Sequence, residues 1–390
     1  MAHNYAVLEP VIARAERCWM WDVEGKKYLD FHSGYCSANQ GHCHPKIVDT
    51  LIRQVKILTT PSRAFDNDQT GTYAELICKT FGYDKILPSN SGVEACESAV
   101  KLARRWGYVV KGVPENKAEV LFPNGCFWGR SITAISGCDD PMRYEKFGPF
   151  TPGFPLVPYN DLDALEKILE SNPNIVAYMT EPIQGEGGVI IPDKGYLREA
   201  HKLLKKHNCL MICDEIQTGL GRTGKMLCVH HEDDFRPDMV TLGKSTSGGL
   251  LPLSLVMADD EVMLTIKPGE HGSTFGGNAL ACAVGKTALE VIIEEDLCKK
   301  SEENGAFLVR ELKNIKSKLI KEARGKGLFC SLELNQKGLG KHVIASLNRN
   351  GLACKNTHDT TIRLAPPLIT TKEELTQGVE IIEKTLKEFE

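Results

Sequence analysis

Short apolar runs recur through the middle of the chain, and several stop on a polar or charged residue. Ile175 to Thr180 closes on Glu181-Pro182, Cys209 to Cys213 on Asp214-Glu215, and Met239 to Leu242 on Gly243-Lys244. Glu119 to Phe122 and Leu253 to Met257 are runs of the same kind. Runs this short and this uniformly apolar read as strands buried on both faces. Segments with helical spacing lie among them. Tyr196 to His207 places Leu197, Ala200, Leu203 and Leu204 on one side. Asn90-Ser91-Gly92 opens a helix that runs to Trp106, with Val93, Ala95, Ala99, Val100 and Ala103 as its apolar or small positions. Lys46 to Val55, after His44-Pro45, predicts another. Strand, helix, strand at this spacing argues βαβ units and a largely parallel sheet, hence an α/β fold.

The two ends of the chain read differently. Cys18 to Asp22 and Lys27 to Phe31 flank the turn Val23-Glu24-Gly25-Lys26, a hairpin with glycine at the tight position. Beyond an Ala-rich helix over Asn278 to Glu294, the pattern predicts a helix over Glu302 to Leu319 and a strand over Gly327 to Leu334. A helix over His342 to Arg349, a strand over Thr361 to Leu364 and a closing helix over Glu373 to Phe389 follow. This is a smaller α+β domain. The N-terminal strands are too few to stand alone and are expected to pack with it. The expected division is 1-45 as an N-terminal segment, 46-285 as the large domain and 286-390 as the small one.

Composition narrows the class. Of 390 residues, 42% are hydrophobic and 25% charged, enough for a sizeable core and unlike a disordered chain. The formal net charge is −4, so neither a nucleic acid nor a membrane surface is expected as a partner. No apolar stretch approaches the roughly 18 residues of a membrane span. The 14 cysteines show no regular framework, and Cys213, Cys282 and Cys330 fall in apolar surroundings, which suits free thiols in a reducing compartment. Met1 to Pro10 carries no basic stretch followed by an apolar run. A cytoplasmic location is therefore expected, with the mitochondrial matrix as the alternative if a presequence has been removed. His42-Cys43-His44 lacks a partner cluster, so structural roles are expected there and no metal site.

Candidate chemistry gathers at strand ends. In a parallel sheet, polar residues just past the strand C-termini face the ligand crevice, and Asp214 and Lys244 both fall there. Most lysines are solvated surface residues. Lys244, however, follows an apolar strand and precedes Ser245-Thr246-Ser247-Gly248-Gly249. Small residues leave room for a bulky group on the amine, and an amine beside a cofactor can be activated as a Schiff base. A buried Asp214 needs a proton donor or a cation, and a protonated pyridine nitrogen would serve; a helix cap or a salt bridge is the plain alternative. Its neighbour Glu215 could equally be the surface residue of the pair.

Ser91-Gly92-Val93 sits at a helix N-terminus, where free amides and the helix dipole cradle an anion; Thr274 could add a hydroxyl. Phe127 offers an aromatic face, or ordinary core packing, and Arg130 a guanidinium. Arg363, inside an apolar strand, calls for a carboxylate, a substrate's being one option. Glu181 and Glu186 bring two more carboxylates to a strand end. Gly219-Leu220-Gly221-Arg222-Thr223-Gly224-Lys225 mimics a nucleotide phosphate loop, but Met226 stands where that loop needs Ser or Thr. Arg222 is expected near the cofactor site instead.

Together these residues resemble the class III pyridoxal-phosphate aminotransferases of fold type I. The likeness rests on Asp214-Glu215-Ile216-Gln217-Thr218-Gly219, Leu242-Gly243-Lys244 and Glu181-Pro182-Ile183-Gln184-Gly185-Glu186, in their relative positions, and extends over almost the whole chain. It implies pyridoxal 5'-phosphate (PLP) as cofactor, joined to Lys244, which also shuttles a proton. Asp214 would keep the pyridine nitrogen protonated, Gln217 would bond the phenolic oxygen, and Phe127 would stack on the ring. Ser91, Gly92 and Val93 would hold the phosphate, with Thr274 reaching in from a neighbouring subunit. The resemblance implies a homodimer or larger assembly with sites at the subunit interface.

Within the family the chain looks like the branch that takes a diamine, with L-ornithine and 2-oxoglutarate as implied substrates. Tyr5, Tyr35 and Arg130 would surround the diamine, and Arg363 would bind the α-carboxylate of 2-oxoglutarate. Glu186 would pair with Arg363 in one half-reaction and swing away in the other. Gly34 and Cys36 beside Tyr35, and Gly187 after Glu186, depart from the serines and alanine usual there. The alternatives are a relative acting on N-acetylornithine, 4-aminobutyrate or another ω-amine, or an idle binding protein on the same fold.

Overall fold

The N-terminal hairpin forms as its turn predicts. In the computed structural model, which describes residues 2–390, β1 (Ile12–Glu16), β2 (Trp19–Asp22) and β3 (Lys27–Asp30) pair antiparallel. Gly25 takes φ +84 at the turn, a conformation that L side chains rarely adopt.

The central apolar runs build one seven-stranded sheet. Its strands are β4 (Lys85–Ser89), β5 (Glu119–Pro123), β6 (Leu156–Val157), β7 (Ile175–Thr180), β8 (Leu210–Asp214), β9 (Met239–Leu242) and β10 (Ser254–Ala258). Their order across the sheet is β4-β10-β9-β8-β7-β5-β6. The stretch from β9 to β6 is parallel, while β10 runs antiparallel to both β4 and β9. Every residue of β7, β8, β9 and β10 is buried, as expected where helices cover both faces. The helix Gly92–Trp106 packs across this sheet, and Ala279–Glu294 packs against the helices Pro45–Gln54 and Asp68–Phe81. Parallel pairing brings the C-terminal ends of β7, β8 and β9 to one edge. Glu181, Asp214 and Lys244 stand there as neighbours.

The C-terminal part holds β11 (Ile320–Lys326), β12 (Phe329–Leu334), β13 (Leu352–Ala353), β14 (Lys355–Thr357) and β15 (Thr361–Leu364). Four of these form an antiparallel sheet in the order β11-β12-β15-β14, whereas β13 pairs parallel with β3 and completes the N-terminal sheet. The helix expected over Glu302 to Leu319 spans Leu297–Asn314 instead. After Leu297 and Cys298 it runs through the polar stretch Lys299 to Asn304, which hides its start. The apolar pair Leu319-Ile320, which seemed to prolong it, leads into β11. No helix among the described residues is long and apolar enough to cross a membrane.

Candidate active site

A cavity of about 160 Å³ opens at the C-terminal edge of β7, β8 and β9. Gly92, Val93, Phe127, Asp214, Gln217 and Lys244 line it, with Trp128, Gly129, Glu181 and Ile216 completing the wall.

Asp214 ends β8 and is buried. One carboxylate oxygen accepts from the Ile216 amide and the Thr241 hydroxyl, both at 3.0 Å. The other faces only the Cys96 thiol, at 3.4 Å. Burial pushes the Asp214 carboxyl up, against the pull of the Ile216 amide and the Lys244 charge. A thiol is a weak donor, so this oxygen keeps its capacity for a stronger one. Lys244 opens a short 3-10 turn at φ +48, and its amine has neither hydrogen bond nor ion pair among the described residues. Gly243 before it is extended, so the turn follows the strand end at once.

Helix Gly92–Trp106 aims its N-terminus into the same cavity. Ser91 is the N-cap, and the Glu94 carboxylate reaches back to the Ser91 amide at 2.6 Å and the Asn90 amide at 3.1 Å. The first-turn amides of Gly92 and Val93 have no acceptor among the described residues. The Phe127 ring forms a wall between Arg143 and Arg130, at 5.0 and 5.8 Å from its centroid.

Glu181, left without a role in the sequence reading, is at the centre. It accepts from the Phe127 amide at 2.9 Å and the Gly185 amide at 3.1 Å. Burial and the nearby Asp214 charge push its carboxyl up to about 8. Glu215 also departs from expectation. It is fully buried rather than at the surface, bonded by Thr218 and the Val229 amide, and burial raises its carboxyl to about 7. A Cβ on Gly185 would lie 1.5 Å from Gln217 Oε1, so a side chain there would push the Gln217 amide aside.

Beside the cavity, Arg363 donates to Glu186 at 2.6 Å, and Gln217 approaches the same carboxylate oxygen at 3.5 Å. Burial pushes the Glu186 carboxyl up, but the charge and hydrogen bond of Arg363 outweigh it and hold it at about 2. Tyr35, at φ +59, lies under the Arg363 guanidinium at 5.4 Å. Tyr5 meets this group only through Lys355, whose Nζ lies 5.6 Å from its ring and donates to Tyr35 Oη at 2.6 Å. Arg130 and Thr274 are exposed, and neither lines the cavity of its own chain.

Arg222 corrects an expectation. It is fully buried, but it bonds the Leu328 and Pro366 carbonyls and the side chains of Asn39 and Ser33. It ties the N-terminal segment to the C-terminal part and does not line the cavity. The loop around it spends its amides on its own carbonyls, Leu220 to Met226 and Gly221 to Lys225, so it makes no phosphate cradle. His42 and His44 bond different carboxylates, Asp30 and Glu295.

The cavity's chemistry suits PLP group by group. An acceptor oxygen of Asp214 awaits a cationic donor, free amides at a helix N-terminus await an anion, and an unpaired amine awaits a carbonyl carbon.

Comparison with known proteins agrees. The family pattern of class-III aminotransferases matches residues 1–386. The ornithine aminotransferase of Rattus norvegicus, described as mitochondrial, is 52% identical over 390 residues, covering all of this chain and 88% of that protein. A solved Toxoplasma gondii ornithine aminotransferase, described with partial occupancy of PLP at its active site, superposes with a TM-score of 0.97 at 45% identity. That match covers 99% of this chain and 91% of the other. An acetylornithine aminotransferase from Elizabethkingia anophelis gives a TM-score of 0.91 at 46% identity, covering 100% and 96%. The chain belongs to the class-III aminotransferase family. It is an α/β enzyme of fold type I that works with PLP.

Proposed function

We propose that this enzyme transfers the δ-amino group of L-ornithine to 2-oxoglutarate, in two half-reactions that yield glutamate 5-semialdehyde and then glutamate. The observation that carries this reading is the Glu186–Arg363 pair at 2.6 Å beside the Lys244 cavity. A donor that presents a terminal amine offers no carboxylate at that place, and an unmatched buried guanidinium would be costly. Glu186 therefore masks Arg363 while ornithine is bound. It yields Arg363 to the α-carboxylate of 2-oxoglutarate in the second half-reaction, so one pocket serves two substrates of different charge. Identity of 52% to the rat ornithine aminotransferase over the full chain supports the same reading.

PLP, when bound, supplies the carbonyl that takes up the amine and the ring that stores electrons. The chain's residues do the rest. The Gly92 and Val93 amides behind the Ser91 cap, with a Thr274 from a second subunit, would hold the phosphate. Asp214 would hold a proton on the ring nitrogen, Gln217 would donate to the phenolic oxygen, and Phe127 would wall the ring. The Lys244 amine would hold the cofactor and would take and carry the proton of the substrate δ-carbon. Tyr5, Tyr35 and Arg130 bound the far end of the substrate.

We read the assembly as a homodimer or larger, because Tyr5, Arg130 and Thr274 stand exposed in the single chain. We divide the chain into 1-45, 46-285 and 286-390. All the cysteines are free, which supports a reducing compartment. We take it as the cytoplasm; the mitochondrial location of the rat relative makes the matrix the other one to test.

The test is a single half-reaction. The loaded enzyme, given L-ornithine and no keto acid, should form semialdehyde in an amount matching its active sites, and Lys244→Ala should form none. The similarity to an acetylornithine aminotransferase favours N-acetylornithine as the second reading. Turnover of N-acetylornithine in place of ornithine would establish it.

A further inference from the structure

The peptide unit that carries Phe127 is gripped at both ends. Its N–H, that of Phe127, donates to Glu181 at 2.9 Å, and its C=O, that of Cys126, accepts from Arg143 Nη1 at 3.2 Å. A trans peptide is planar and points these groups in opposite directions, so the two bonds fix the plane from which the Phe127 side chain departs. The turn before it is held as well. The Asn124 side chain and the Gly125 amide both donate to Asp139 at 3.0 Å, and Gly125 takes φ +75.

Arg143 does more than hold the backbone. Its guanidinium lies 5.0 Å from the Phe127 ring centroid, within reach of a cation–π contact. Phe127 lines the cavity and Arg143 does not, so the guanidinium meets the ring from outside. The short helix Pro141–Tyr144 sets its place. Asp140 caps that helix through the Met142 amide at 3.0 Å and pairs with Arg143 Nε at the same distance. The Arg143 side chain is 10% exposed and its charge is matched by Asp140, which leaves it for a local role.

We infer that Arg143 is a positioning residue, which holds the Phe127 ring against the PLP ring through the Cys126 carbonyl and through its charge over the phenyl. The inference rests on the proposed place of Phe127 beside the cofactor. The last torsion of a phenylalanine lies in a broad well, and a cation over one face narrows it. A planar guanidinium can bond Asp140 and the Cys126 carbonyl and cover the ring at once, which a lysine ammonium cannot.

The test follows release of PLP from the holoenzyme, read as loss of the bound cofactor's absorbance band. Arg143→Met should release PLP about twofold to thirtyfold faster than wild type, the span of a cation–π contact, and should shift that band. Arg143→Lys keeps the charge without the fork and should recover part of the difference. Phe127→Leu should also speed release. In that background, adding Arg143→Met should change the rate no further, because the arginine then has no ring to hold. Equal increments in the two backgrounds would show that Arg143 only staples the loop, and they overturn the inference. Wild-type release from Arg143→Met, with Phe127→Leu fast, overturns the inference alone. Wild-type release from Phe127→Leu overturns the place given to Phe127, and the inference with it.

Discussion

Glu181 carries the clearest consequence at the scale of a single residue. It shares the floor of the cavity with Asp214, and two buried carboxylates so close resist ionising together. Its carboxyl is held up at about 8, against an ordinary value of 4.5. The folded protein thus keeps a proton that the unfolded chain gives up. The contribution to stability is complete below pH 4.5 and is lost as pH rises toward 8. Glu181→Gln cannot titrate, so its stability relative to wild type should improve steadily between pH 5 and 8. Thermal unfolding of the cofactor-free proteins across that window checks it, and a constant difference in Tm would show that Glu181 is ionised throughout. Comparing slopes removes the loss of one amide hydrogen bond, which Gln causes at every pH.

At the scale of the element, the N-terminus of helix Gly92–Trp106 is the part most dependent on one side chain. The Glu94 carboxylate closes the turn by accepting from the Ser91 amide and hydroxyl and from Asn90. Glu94→Ala should cost about 1 kcal/mol, the usual value of a helix cap, seen as a lower Tm of the cofactor-free protein. This turn was legible because Ser91 and Glu94 have capping-box spacing ahead of an apolar stripe. β7 and β9 were legible to the residue, since a strand buried on both faces shows as an unbroken apolar run ending in polar chemistry. β4 was not. It lies at the sheet edge and contains Pro88, which breaks the strand pattern. β11 is nearly all polar or half-exposed, with only Ala323 buried, so nothing marks it as a strand. The same division runs through the site. Asp214 and Lys244 follow from strand ends. Cys96, Thr241 and Lys355 reach their partners across neighbouring elements, and strand order cannot be read from the chain alone.

At the scale of the whole molecule, the proposed assembly turns on Thr274. Arg222 clamps Ser33 and Asn39 near the N-terminus to the Leu328 and Pro366 carbonyls of the C-terminal part. Thr274 is exposed beside the exposed Phe275 and does not line its own chain's cavity, although its neighbour Ser273 accepts from Asn90 at 3.0 Å. If Thr274 completes the phosphate site of a second subunit, two defects on different chains should complement each other. Lys244→Ala lacks the reacting amine, and Thr274→Asp places a negative charge against the phosphate. Each homodimer should be inactive or severely weakened. A hybrid dimer has one site with both defects and one site with neither, because the intact Lys244 and the intact Thr274 then meet across the two-fold axis. Random reassociation of equal amounts makes half of the dimers hybrid, so the mixture should regain about a quarter of wild-type activity. Should Thr274 serve its own chain, every site in the mixture keeps one defect and no activity returns, which would place the phosphate contact inside the subunit.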